Sequence, residues 1–65
     1  MKTIKRRMQA MYKAQYKARN AHESWTTIGH YGSEGEALNV AIRKKNNGAL
    51  MVRVVDKKGN TVYSG

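Results

Sequence analysis

Thr3-Ile4-Lys5-Arg6-Arg7-Met8-Gln9-Ala10-Met11-Tyr12-Lys13-Ala14-Gln15-Tyr16-Lys17-Ala18-Arg19-Asn20 is the stretch whose reading decides the fold. It contains neither Gly nor Pro, and Ala, Met, Gln, Lys and Arg dominate it, all good helix formers. At about 100° per residue, Ile4, Met8, Met11, Ala14 and Ala18 gather on one face with Tyr12 at its margin. Lys5, Arg6, Gln9, Lys13, Lys17 and Asn20 take the other side. Arg7 and Arg19 fall near the apolar sector, from which their long stems can snorkel. The pattern predicts an amphipathic helix with a cationic outer face. Thr3 could cap it, but no acid lies in the first turn to complement the helix dipole.

The charge of this segment is as one-sided as its pattern. Residues 1–22 carry seven basic side chains and no acid, whereas the other 43 residues carry six basic and four acidic groups. About +7 of the formal +9 therefore sits in one N-terminal segment. A merely solvated helix usually interleaves Glu with Lys. Such a local excess points instead to a polyanionic or acidic partner.

Sixty-five residues make one small domain, and a single core of that size supplies only about 3–5 kcal/mol. Sharing a core in a homodimer is one way to supplement it. There is no cysteine, which removes disulfides, thiolate metal sites and thiol nucleophiles. With His22 and His30 as the only imidazoles, a structural zinc site is not expected, and no cofactor is implied. No apolar run is long enough to span a membrane, and no secretory h-region is present. The basic N-terminus shares composition with a mitochondrial transit peptide, but serine is absent from the first 23 residues. A cytoplasmic protein is expected.

Beyond the basic segment, Ser24 to Tyr31 is rich in aromatic and β-branched residues and predicts a strand ended by Gly32. Ser33-Glu34-Gly35-Glu36 has the form of a capping box. Ala37, Leu38, Ala41 and Ile42 follow as an apolar stripe, and Arg43, Lys44 and Lys45 complement the negative helix end. Asn47 or Gly48 suits the left-handed position that closes this helix. Ala49 to Asp56 predicts a second strand, and Asp56-Lys57-Lys58-Gly59-Asn60 a turn with Gly59 left-handed. Thr61 to Ser64 returns as the last strand. The expected fold is a single α+β domain of order α-β-α-β-β. Residues 1–22 form its basic helix and residues 23–65 a β-α-β-β unit, with both helices packed on a three-stranded sheet.

Catalysis is not expected. The four acids are Glu23, Glu34, Glu36 and Asp56, and the last three already have helix-start or turn roles. His22 and His30 have no partner at a spacing that suggests a triad or an acid/base pair. Gly29, Gly32 and Gly35 lack the Gly-Lys-Ser/Thr ending of a phosphate loop. No small-molecule substrate is implied.

Strand alternation is more informative. If Ile28, Leu50, Val52, Val54 and Val62 face the second helix, the opposite face collects Trp25, Tyr31, Met51, Arg53 and Tyr63. The preferred reading covers that face with the N-terminal helix, packing Ile4, Met8, Met11 and Tyr12 on Trp25 and Met51. The alternative leaves it open, so that Trp25, Tyr31, Tyr63 and Arg53 form a stacking platform for unpaired bases.

Phosphate binding explains the basic surface best. Lys5, Arg6, Lys13 and Lys17 would contact the backbone, assisted by Lys2, Arg7 and Arg19. Arg43, Lys44, Lys45, Lys57 and Lys58 would extend the surface if they lie nearby. An anionic membrane is disfavoured, because the apolar helix face offers Met and Ala rather than Trp, Phe or Leu. No base-reading motif is present, so binding should be backbone-directed. The competing reading is a protein that blocks an acidic surface of transcription, nucleoid or defence machinery. A packaging component of a nucleoid or virion is a third.

Trp25-Thr26-Thr27-Ile28-Gly29, Ser33-Glu34-Gly35-Glu36-Ala37-Leu38, then Val52-Arg53-Val54-Val55-Asp56 and Gly59 resemble a β-α-β-β unit of small bacteriophage accessory proteins. The resemblance covers about 40 residues, excludes the basic segment and carries over no functional residue. It implies a phage- or mobile-element-encoded, non-enzymatic binder acting in the host cytoplasm on nucleic-acid machinery. The expectation is thus a small basic protein that binds DNA or RNA.

Overall fold

A computed structural model describes residues 11–65. They form β1 (Tyr12–Lys17), β2 (Thr26–Tyr31), α1 (Glu34–Asn46), β3 (Met51–Val55) and β4 (Thr61–Ser64). The fold is a small α+β arrangement of four antiparallel strands in the order β2-β1-β3-β4, with one helix. Since β2 and β3 both run antiparallel to β1, they are parallel to each other. The β2-α1-β3 crossover thus spans β1, as in a split β-α-β unit.

The helix expected over Thr3–Asn20 is corrected where it is described, because Tyr12–Lys17 is a central strand. Its upstream part, with Ile4 and Met8, lies outside the described residues. The reason is periodicity. Tyr12, Ala14 and Tyr16 alternate with Lys13, Gln15 and Lys17, the two-residue period of a strand, inside a segment whose composition and wider three- and four-residue spacing suit a helix. Helix propensities of Lys, Gln and Tyr differ by only a few tenths of a kcal/mol. Pairing with two neighbouring strands easily outweighs that. Ala14 is opposite Gly29 on one side and Val54 on the other, and its side chain is fully buried. The sheet therefore has four strands rather than three.

The core between sheet and helix is built from small residues. Ala14, Ala37, Ala41, Val52 and Val54 form it, with Tyr12, Tyr16, Ile28, Tyr31, Val40, Ala49 and Tyr63 packed around them. Ala37 and Ala41 are one helical turn apart, so α1 presents a shallow groove to Ala14 and approaches the sheet closely. Val40 joins this face, while Ile42, expected in the stripe, is exposed. Leu50 and Val62, expected to face the helix, are also exposed. Leu50 precedes β3, and Val62 is the extra residue where the β3–β4 register shifts.

Helix and turn chemistry behave as the residue types predict. The Ser33 hydroxyl accepts a 3.2 Å bond from the Glu36 amide, and Glu34 and Glu36 occupy the first turn. At the other end the Gly48 amide donates to the Lys45 carbonyl and the Ala49 amide to the Lys44 carbonyl. That is a Schellman closure, with Gly48 at φ +113°. The β3–β4 turn is held by Asp56, whose Oδ1 accepts from the amides of Lys58 and Asn60, both at 2.9 Å. Gly59 there takes φ +90°.

Candidate nucleic-acid interface

The sheet face opposite α1 follows from the alternation of β1. With Tyr12, Ala14 and Tyr16 turned to the helix, Lys13, Gln15 and Lys17 project to the other side. The register extends this into rows. Lys13 is beside His30 and Val55, Gln15 beside Thr27 and Arg53, and Lys17 beside Met51. Thr26 pairs with Tyr16, so Trp25 comes alongside Lys17. Rows two residues apart are separated by roughly 6.6 Å, giving Lys13 and Lys17 a reach of about 13 Å along the sheet.

The centre of this face is a hydrogen-bonded relay across three strands. Gln15, 8% exposed, donates through Nε2 to the Thr27 hydroxyl at 3.0 Å. Its Oε1 accepts from Arg53 Nε at 2.8 Å. Arg53 thereby extends over β1, and its guanidinium lies 4.3 Å from the centre of the Trp25 ring. Lys17 Nζ lies 4.7 Å from the same ring and donates to the Ala21 carbonyl at 2.7 Å. One half-buried indole thus holds two cations, each tethered by a separate hydrogen bond.

The acids do not neutralise this group. Glu23 accepts from the amides of Ala18, Arg19 and Asn20 at 2.8, 3.1 and 3.3 Å. Those bonds, Ala18's foremost, hold its carboxyl below the ordinary range. Asp56 is lowered in the same way, chiefly by the Asn60 amide. Glu34 and Glu36 lie at the start of α1, on the other layer. The described residues contain nine of the thirteen Lys and Arg and all four acids, a net +5.

The structure brings together some of the residues expected at the interface and separates others. Lys13, Lys17, Arg53 and Trp25 share the face opposite α1. Arg19 lies in the β1–β2 loop, and Lys57 and Lys58 lie in the β3–β4 turn beside a shallow cleft of about 210 Å³ lined also by Met11, Tyr12, Asp56 and Asn60. Arg43, Lys44 and Lys45 close α1 on the opposite layer. There Lys44 Nζ sits 4.3 Å over the Tyr16 ring, and Lys45 Nζ donates to the Leu50 carbonyl. Lys2, Lys5, Arg6 and Arg7 lie outside the described residues.

Tyr31 and Tyr63, expected beside Trp25, pack instead on the α1 side. In both edge strands the tyrosine ring folds back over a glycine two residues away. A Cβ on Gly29 would lie 2.7 Å from Tyr31 Oη, and one on Gly65 2.6 Å from Tyr63 Oη. The rings cover glycines that offer the core no side chain. Trp25 therefore stands without the two tyrosines. Gln15 and Thr27, absent from the expected site, are what position Arg53. The Lys-x-Gln-x-Lys spacing signals Gln15 only once the segment is read as a strand, and nothing in the sequence signals Thr27.

Among the described residues no three His, Asp or Glu side chains come together as a metal site. No described helix is long and apolar enough to cross a membrane. No protein-family model matches the chain, and neither a curated protein nor a solved structure matches it.

Proposed function

We propose that this chain is a small non-enzymatic nucleic-acid-binding protein that engages its ligand through the sheet face opposite α1. The observation that supports this best is the Trp25 ring held with Lys17 and Arg53, with Lys13 on the same face and the nearby carboxylates committed to backbone amides. Cations that lack acidic partners attract phosphates, and an aromatic ring among them offers a surface to a base. Lys57 and Lys58 extend the positive charge at one end of the sheet, and Arg19 at the other. Lys2, Lys5, Arg6 and Arg7 add to it on sequence grounds.

Binding of labelled DNA and RNA at two salt concentrations tests this reading. With about five phosphates neutralised, affinity falls roughly 10²- to 10³-fold between about 50 and 200 mM salt. Lys13→Glu with Lys17→Glu abolishes binding, whereas Arg43→Glu on α1 has a much smaller effect. Absence of binding at low salt, or binding insensitive to salt, refutes the proposal.

One observation favours a second reading, a modulator of an acidic protein. A groove of about 170 Å³ between α1 and β2 has Ile28 and Val40 in its lining, with Arg43, Lys44 and Asn47 around them. An apolar anchor flanked by carboxylates would suit it. A stoichiometric protein complex that survives nuclease treatment would support that reading over the first.

A further inference from the structure

We propose, building on the nucleic-acid reading above, that the Trp25 cluster is a subsite for one unpaired base, so that the protein selects single strands over duplex. Three features of the face support this. The first is its shape. Four strands spaced about 4.8 Å apart make a surface roughly 14 Å across between its edge strands. That is wider than the major groove, about 12 Å, which admits a helix or a two-stranded ribbon. A duplex can offer such a face its phosphate ridges while its bases stay stacked inside. An unpaired base is free to swing onto a ring.

The second feature is the isolation of the ring. Tyr31 and Tyr63 lie on the α1 side, so among the described aromatic residues Trp25 alone meets the cations of this face. It provides one stacking position rather than a platform. The third is the tethering of the cations. Arg53 uses Nε–H toward Gln15, and its two terminal amino groups carry the other four N–H donors of the guanidinium. Lys17 is fixed by the Ala21 carbonyl. Both charges lie over the ring, Lys17 4.7 Å and Arg53 4.3 Å from its centre, so an incoming base takes a ring face by displacing a cation toward the phosphates that flank it. Arg53 also presents a planar cation on which a base can stack. Contact with the ribose 2′-OH is no part of this site, so DNA and RNA single strands should bind alike.

Trp25 is the sole tryptophan of the chain, so its emission reports on the subsite directly in the unmodified protein. Oligothymidylate, oligouridylate, a duplex of equal length and an abasic oligomer are each titrated at low salt. Both single strands are expected to quench the indole and to bind about 5- to 150-fold more tightly than the abasic oligomer, the range that one stacked base supplies. Trp25→Ala should reduce single-strand affinity to the level that the abasic oligomer shows with the unmodified protein. Trp25→Phe should retain most of the preference, and the wild-type quench stands as evidence should Trp25→Ala fail to fold. Duplex bound as tightly as single strand, with indole emission unchanged, would overturn the subsite and leave nucleic-acid binding intact. A marked preference between the DNA and RNA strands would overturn the claim that the ring and the phosphates suffice. If no oligonucleotide binds at low salt, the proposed function itself falls.

Discussion

Replacing Gln15 by Ala should loosen the interface and weaken the fold together, because this one side chain ties β1 to both of its neighbours. Gln15 is 8% exposed, accepts from Arg53 Nε at 2.8 Å and donates to the Thr27 hydroxyl at 3.0 Å. The bond to a charged donor contributes about 1.5–3 kcal/mol and the neutral one about 0.5–1.5. Thr27 is exposed and Arg53 half-buried, so water reaches both once the amide is gone and recovers part of this. A net loss of roughly 1.5–2.5 kcal/mol follows, which in a domain of this size lowers Tm by about 6–20 °C. Urea unfolding of the wild type, Gln15→Ala, Arg53→Ala and the double variant isolates the pair. The expected coupling is about 1–2 kcal/mol. A value below about 0.3 kcal/mol, the limit of simple additivity, would mean that Gln15 does not position Arg53 and would remove the basis for placing its guanidinium over Trp25.

Other perturbations test separate parts of the structure. Gly29→Ala places a methyl 2.7 Å from Tyr31 Oη and should cost about 1–3 kcal/mol by overpacking; in a Tyr31→Phe background, which lacks that oxygen, the same change should cost measurably less in urea unfolding. Ser33→Ala removes the acceptor of the Glu36 amide and should lower stability by about 1 kcal/mol, read as a shift in the urea midpoint without a change in slope. Glu23 and Asp56 have carboxyls lowered in the folded protein. Their contribution is therefore complete above the ordinary carboxylate range and is lost as pH falls through their folded values. Stability should decline on acidification below about pH 5, and Glu23→Gln should flatten that decline.

The parts of the fold legible in the sequence are those governed by short-range chemistry. Ser33 as a cap, Gly48 and Gly59 as left-handed residues, and the α1-β3-β4 order depend on neighbours a few positions away. The identity of β1 does not. Tyr12 to Lys17 carries a strand's alternation inside a stretch of helical composition, and its choice is made by Gly29 and Val54, which come from distant parts of the chain. Lys13 and Lys17 nevertheless remained on one face, because residues four apart share a face in a helix and in a strand alike. The faces of Tyr31 and Tyr63 escape the sequence pattern for a different reason. An alternation counted through β2 and β4 fails at the register shifts, where the bulges turn Tyr31 and Tyr63 toward the helix. Without β1 the relay from Thr27 through Gln15 to Arg53 had no middle member, and so the site's organising residue was invisible.

Chemical-shift mapping of the amide and indole N–H signals during titration with a single-stranded oligonucleotide tests the central claim most directly. The largest changes should fall on Lys13, Gln15, Lys17, Trp25, Thr27 and Arg53, with Ala37, Ala41 and Arg43 of α1 little affected. Changes centred on Arg43, Lys44 and Lys45, with the Trp25 indole undisturbed, would contradict it.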